Sequence, residues 1–336
     1  MAATTKAVDS DSLVIPLVDF SQFQTGTPEQ RSSTAKSILH GFQTAGFIYL
    51  TNIPIPPATI THAFTTSSNF FSRPQSCKES LGWTTPESNR GYVSHGREKV
   101  STLLTKDAVA ASRTQAPDLK ESFEIGREGE AELPNNWPAD SAGEEFRKVM
   151  LEFHDVCKNL YISVMRAIAV GMGLDECYFD GYTDVGDNTL RLLHYPEVKK
   201  DVFKSNKLQV RAGEHTDYGS ITLLFQDDRG GLQVKSPRGT FVDAIPIPGS
   251  VVVNAGDLLA RWSNDTIKST LHRVVEPPAP EEGDVHPARY SIAYFCNPNF
   301  KSHIEAIPGT YGEEKDKKYA GINSGEYLVQ RLAATY

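Results

Sequence analysis

Cysteine is sparse in this chain, and Cys77, Cys157, Cys177 and Cys296 are scattered without a CxxC pair. That pattern excludes a disulfide framework and a zinc knuckle, so the four are read as free thiols. Basic charge is also short: 34 Lys and Arg stand against 42 Asp and Glu, a formal charge of −8. The broad cationic surface that dominates nucleic-acid affinity is missing, and no nucleic-acid partner is expected. No run approaches the roughly 18 apolar residues of a membrane span, and Met1 to Asp11 lacks a basic-then-apolar leader. The expectation is a cytoplasmic protein without a membrane partner. GxGxxG, Walker and HExxH sequences are absent too, as are repeats, which removes support for phosphate-cradling loops, helix-borne zinc, solenoids and propellers.

What is present is a globular composition, 39% hydrophobic over 336 residues. Leu13 to Asp19 is a short apolar run. Thr27-Pro28-Glu29 opens a helical pattern to about Gln43, with Ala35, Ile38, Leu39 and Phe42 on one stripe. Phe47 to Leu50 reads as a strand, and Pro56-Pro57 precedes a second helical run through Phe64, Phe70 and Phe71. Glu87 to Gln115 is polar and irregular, the composition of a capping loop. From Glu144 to Met172 apolar residues recur at helical intervals, a stripe that packs inward. Beyond Asp187 the texture changes to short strands: Leu190 to Tyr195, Ile221 to Phe225, Leu232 to Val234, Val251 to Asn254 and Tyr290 to Phe295. The expected class is α+β, a helical N-terminal half around a double-sheet β core, closed by a helix over Ser324 to Leu332.

The chemical signal lies in Gly213-Glu214-His215-Thr216-Asp217-Tyr218-Gly219-Ser220. In an extended segment residues i and i+2 project to one side, so His215 and Asp217 present an imidazole and a carboxylate to one point. His272 supplies a third ligand if its strand returns beside the first. Two histidines and a carboxylate on one face leave coordination positions open, as in non-haem Fe(II) oxygenases, whereas structural zinc sites close all four. An HxD pair alone is weak. A second constellation strengthens it: Arg289, Ser291, Ala293 and Phe295 share one face of a strand, and a guanidinium fork suits a carboxylate.

The ordered set HTDYGSITLL, GGLQV, AIPIPGSVVVNAGD, STLHRVV and RYSIAYF closely resembles the Fe(II) and 2-oxoglutarate-dependent dioxygenases of the isopenicillin N synthase-like superfamily. Residues 15–20, 46–50, 118–123 and 190–196 extend the resemblance over nearly the whole chain, with the look of a fungal or plant-like member of specialised metabolism. The resemblance implies a distorted double-stranded β-helix, a jelly-roll core, over residues 121–336, with residues 1–120 forming an N-terminal region of one compact unit. It implies Fe(II) on His215, Asp217 and His272, and 2-oxoglutarate with its far carboxylate on Arg289, Ser291 and Tyr195. It further implies that O2 and 2-oxoglutarate are consumed, succinate and CO2 released, and a substrate C–H bond hydroxylated, desaturated, cyclised or rearranged. Leu193 stands where plant members often carry asparagine.

Substrate contacts are expected on the same inward faces. Strand alternation takes Arg191 and Leu193 inward with Tyr195, and Phe295 inward with Arg289. Arg90, Tyr92 and His95, with Ser122 and Glu124, are expected on the lid side of a small-molecule pocket. A cation at Arg191 would favour a carboxylate, phenolate or carbonyl. Two alternatives are a same-fold oxidase that does without 2-oxoglutarate and a non-catalytic small-molecule binding protein. The oligomeric state is not legible.

Overall fold

The computed structural model describes residues 5–83, 89–97, 116–130, 133–206, 208–277 and 283–335. Its N-terminal part runs β1 (Lys6–Ser10), β2 (Leu13–Asp19), α1 (Ser21–Thr25), α2 (Pro28–Thr44), β3 (Phe47–Thr51), α3 (Pro57–Phe71) and α4 (Gln75–Glu79). Then come β4 (Gly91–Val93), β5 (Glu121–Ile125), α5 (Ser141–Gly171), α6 (Asp180–Thr183), β6 (Thr189–Tyr195), β7 (Val198–Lys199) and α7 (Asp201–Ser205). The remainder is β8 (Ala212–His215), β9 (Ile221–Gln226), β10 (Leu232–Lys235), β11 (Phe241–Asp243), β12 (Ser250–Ala255), α8 (Asp257–Trp262), β13 (His272–Val274), β14 (Val285–His286), β15 (Arg289–Cys296), β16 (His303–Ile304), β17 (Ile322–Asn323) and α9 (Ser324–Thr335).

Local chemistry sets the helix starts. The Thr27 hydroxyl accepts from the Gln30 N–H while the Gln30 side chain accepts from the Thr27 N–H, a reciprocal cap with Pro28 at the first helical position. The long helix begins at Ser141, earlier than the apolar stripe indicates, because Asp140 Oδ1 takes the Gly143 N–H at 2.7 Å. The segment read as irregular contains β4, whose Tyr92 pairs with Phe123 of β5. A three-residue strand has too little sequence to announce itself, and it exists because β5 offers a ladder. Most of that segment, residues 87–88 and 98–115, lies outside the described residues.

Nine strands form one sheet in the order β1-β2-β3-β12-β9-β15-β6-β5-β4, and four form a second, β11-β10-β13-β8. The N-terminal β2 and β3 thus join the same sheet as β12 and β9. Alternation divides the large sheet's side chains between two cores. Leu190, Leu192, Ile292 and Tyr294 pack with Phe153, Leu160 and Val164 of α5. Leu193, Tyr195 and Ala293 face the other way, onto Ala212, Leu232, Val234 and Val274 of the second sheet. The functional cavity opens on this inter-sheet face. No described helix is long and apolar enough to cross a membrane.

Candidate active site

The second sheet brings the sequence-distant histidines together. His272 of β13 is the register partner of His215 of β8, and Asp217 follows just past the end of β8. His215 Nε2 lies 3.8 Å and His272 Nε2 3.7 Å from Asp217 Oδ1, and the three ligand atoms fall within 4.8 Å of one another. Each imidazole is oriented through its other nitrogen: His215 Nδ1 is 2.7 Å from the Gly213 carbonyl and His272 Nδ1 3.1 Å from that of Thr270. This leaves both Nε2 lone pairs for a metal. Asp217 Oδ2 accepts from Thr222 and Asn254 at 2.5 and 2.7 Å, which leaves Oδ1 facing the histidines. Burial, reinforced by His272, pushes His215 down to about 3, so the ring is a neutral donor. Burial alone would raise the Asp217 carboxyl, but the two histidines and its hydrogen bonds hold it below the usual range. The donor set fits a three-ligand Fe(II) site with open positions. Gly219 keeps the loop tight, since a Cβ there would run into the Cys296 carbonyl.

A second cluster lies on β6 and β15. Arg289 is buried; it donates to the Gly230 carbonyl at 2.9 Å, to Ser291 Oγ at 3.2 Å and to Gln226 Oε1 at 3.2 Å. Gly230 and Gly231 both have positive φ, a turn that aims the Gly230 carbonyl at this guanidinium. Among the described residues no carboxylate pairs with Arg289. A buried cation of this kind calls for an anion, and the fork suits a carboxylate. Tyr195 lies under it, with the guanidinium 4.8 Å from the ring centre. The sequence reading missed Arg211, which is fully buried 5.8 Å from the same ring, with Nε and Nη1 lacking hydrogen-bond partners among the described residues. Burial and then Arg289 push its pKa down to about 10.

Both clusters open on one cavity of about 130 Å³, lined by His215, Asp217 and His272 and by Arg289, Ser291 and Tyr195. Arg191, Leu193 and Phe295 line it too, as strand alternation requires. Arg191 meets both a carboxylate and a ring. Its Nε is 2.8 Å from Glu124 Oε1, and its guanidinium lies 5.2 Å from the Phe295 ring centre. Arg90, Tyr92, His95, Ser122 and Glu124 do not line the cavity. Arg90 is buried and packs over Gly126, Tyr92 bonds Glu121 in a buried network with Lys78, and His95 is exposed. Ser122 and Glu124 instead stand behind Arg191, with Ser122 Oγ donating to Glu124 Oε1 at 2.7 Å. The cavity also includes Asn89, Lys120, Tyr218, Leu328 and Leu332, none of which the sequence reading takes as a substrate contact. Tyr218 was within reach, one residue past Asp217; Asn89 and the α9 leucines carry no local signal.

Comparison with known proteins decides the family. Residues 186–298 match the 2OG-Fe(II) oxygenase superfamily, and residues 15–140 match the non-haem dioxygenase in morphine synthesis N-terminal family. The chain is 34% identical over 325 residues to the 2-oxoglutarate-Fe(II) type oxidoreductase ppzD of Metarhizium rileyi, covering 95% of this chain and 90% of the relative. It belongs to the 2-oxoglutarate-Fe(II) oxygenase superfamily. This oxygenase is also similar to the 2-oxoglutarate-dependent dioxygenase gloF of Glarea lozoyensis, at 31% identity over 96% of this chain and all of the relative. Among solved structures, a full-length Neurospora crassa protein in complex with alpha-KG and thymine is 66% identical with a TM-score of 0.92, covering 99% of this chain and 100% of that one. The protein is therefore an Fe(II)- and 2-oxoglutarate-dependent oxygenase of small molecules, with the jelly-roll core of its relatives. Bound iron and 2-oxoglutarate supply the oxidising chemistry, while the chain supplies binding, orientation and a protected cavity.

Proposed function

We propose that His215, Asp217 and His272 hold Fe(II), that Arg289, Ser291 and Tyr195 take the far carboxylate of 2-oxoglutarate, and that the substrate is a methylated pyrimidine base of the thymine type. The observation that carries the substrate class is Asn89. Its Oδ1 is buried without a hydrogen-bond partner among the described residues, and Asn89 lines the cavity with Arg191 and the rings of Tyr218 and Phe295. An acceptor beside a donor, with two aromatic side chains nearby, suits a flat ring that alternates N–H and C=O.

Charge narrows the class. Arg191 is already balanced by Glu124 at 2.8 Å, so a neutral carbonyl suits it better than the carboxylate its charge alone invites. This favours a base over an amino acid or organic acid. The Neurospora crassa structures support the reading: one holds thymine and another, 63% identical to this chain, holds 5-formyluracil. Those two molecules differ only in the oxidation state of the exocyclic carbon on C5, and the methyl is thymine's only aliphatic carbon. The reaction is then thymine, 2-oxoglutarate and O2 giving the hydroxymethyl base, succinate and CO2, repeatable to the formyl level. The look of specialised metabolism rests on relatives near 30% identity, and the pyrimidine reading on structures at 63–66%.

Oxygen uptake by the iron-loaded protein with 2-oxoglutarate, in the presence of thymine, uracil, cytosine or proline, tests this. Thymine should drive uptake matched by succinate, and uracil, lacking the methyl, should compete without yielding a hydroxymethyl product. Uptake driven by proline and indifferent to thymine would overturn the pyrimidine reading.

A further inference from the structure

The last helix does more than cover the cavity. Leu328 and Leu332 of α9 lie on the cavity wall, and Arg331 between them has a different set of contacts. Its guanidinium sits 4.6 Å from the centre of the Tyr218 ring, and its Nη1 pairs with Asp257 Oδ2 at 2.7 Å. The same nitrogen reaches the Tyr327 hydroxyl at 3.4 Å. Asp257, at the start of α8, is tied to the metal loop twice: its N–H donates to the Asp217 carbonyl at 2.7 Å, and its Oδ2 accepts from Thr216 at 3.0 Å. One arginine on the C-terminal helix therefore touches the residue after Asp217 directly and the residue before it through a single carboxylate.

We propose that Arg331 is a positioning residue that fixes the Tyr218 ring as a wall of the substrate slot and holds α9 against the cavity. The proposal rests on the reading of Tyr218 as a slot wall. A tyrosine on a loop loses conformational entropy whenever it must meet a flat ligand, and a guanidinium laid against its ring removes that cost in advance. The planar group is needed for this, because an ammonium cannot lie flat on a ring while forking to a carboxylate. An ordinary helix-docking ion pair would leave substrate affinity and coupling alone.

The test compares Arg331→Met and Arg331→Lys with Tyr218→Leu and the Tyr218→Leu/Arg331→Met double variant. In iron-loaded protein with 2-oxoglutarate under nitrogen, calorimetry gives the thymine Kd. Aerobic turnover gives the ratio of succinate to oxidised base. Arg331→Met should raise the thymine Kd about tenfold and raise the succinate excess, with iron content and 2-oxoglutarate Kd unchanged. Arg331→Lys should recover part of the loss, and the double variant should be no worse than Tyr218→Leu alone. A folded Arg331→Met protein with unaltered thymine Kd and coupling, or additive losses in the double variant, would overturn the proposal. Should the wild-type protein take no thymine, the pyrimidine reading fails separately. Amide exchange of residues 216–219 and 324–332 then decides: faster exchange in Arg331→Met supports the clamp, and equal rates refute it.

Discussion

His272 stands directly opposite His215 across the β13–β8 pair, and their rings lie 4.3 Å apart. Each ring is held by the backbone carbonyl two residues before it, which turns both Nε2 atoms toward Asp217. Asp217 supplies the one negative charge of the set. Asp217→Ala should abolish stoichiometric Fe(II) binding, while Asn254→Ala, which removes a donor to Oδ2, should weaken it about 10–100-fold. Anaerobic metal titration checks both, and full occupancy in Asp217→Ala would refute the ligand assignment.

Arg289→Lys keeps the charge and loses the fork that donates to Gly230, Gln226 and Ser291. It should raise the Kd for 2-oxoglutarate by at least about tenfold, the effect of one charge-assisted hydrogen bond, without changing iron affinity. Calorimetry with the non-reacting analogue N-oxalylglycine separates binding from turnover. An unchanged Kd in the folded variant would move the anchor elsewhere.

Arg191→Ala should do two things, because the pair with Glu124 is nearly buried. Leaving Glu124 without this partner costs about 3 kcal/mol of stability, and losing the pocket donor uncouples succinate formation from product. Adding Glu124→Gln to Arg191→Ala should return much of the stability and none of the coupling. Urea unfolding and the succinate-to-product ratio, measured on both variants, distinguish the roles. Coupling restored along with stability would make Arg191 purely structural.

His154 gives a pH signature outside the active site. It is buried on α5 against Tyr294, and burial pushes its pKa from 6.5 down to about 4. The unfolded chain therefore takes up this proton first as pH falls, so the contribution to stability is full above 6.5 and lost progressively toward 4, at up to about 1.4 kcal/mol per pH unit. His154→Gln cannot titrate and should show a shallower loss of stability between pH 6.5 and 4. Urea midpoints at several pH values measure it; parallel slopes would contradict the assignment.

Much of the fold was legible where pattern and chemistry agreed. Thr27-Pro28-Glu29 marks a helix start, and the alternation of Arg289, Ser291, Ala293 and Phe295 marks a face that lines the cavity. The meeting of His215 with His272 needed a strand return that the residues alone posed only as a condition and that the resemblance implied. Other features depend on contacts between distant segments. β4 owes its existence to β5, Asn89 enters the cavity from a loop, and Glu124 acts from behind Arg191 because β5 pairs with β6 in that register. Arg211 carries no local signal, and only folding shows it sealed beside Tyr195.

We propose that this oxygenase couples 2-oxoglutarate decarboxylation to oxidation of a pyrimidine methyl group. Turnover under ¹⁸O2 with thymine labelled with deuterium in the methyl group, followed by mass spectrometry of both products, tests it most directly. Succinate should carry one labelled oxygen, the hydroxymethyl base should carry oxygen label before exchange with water, and the base should lose one methyl deuterium. Labelled succinate formed at the same rate without thymine, or a base that keeps all its methyl deuterium, would contradict it.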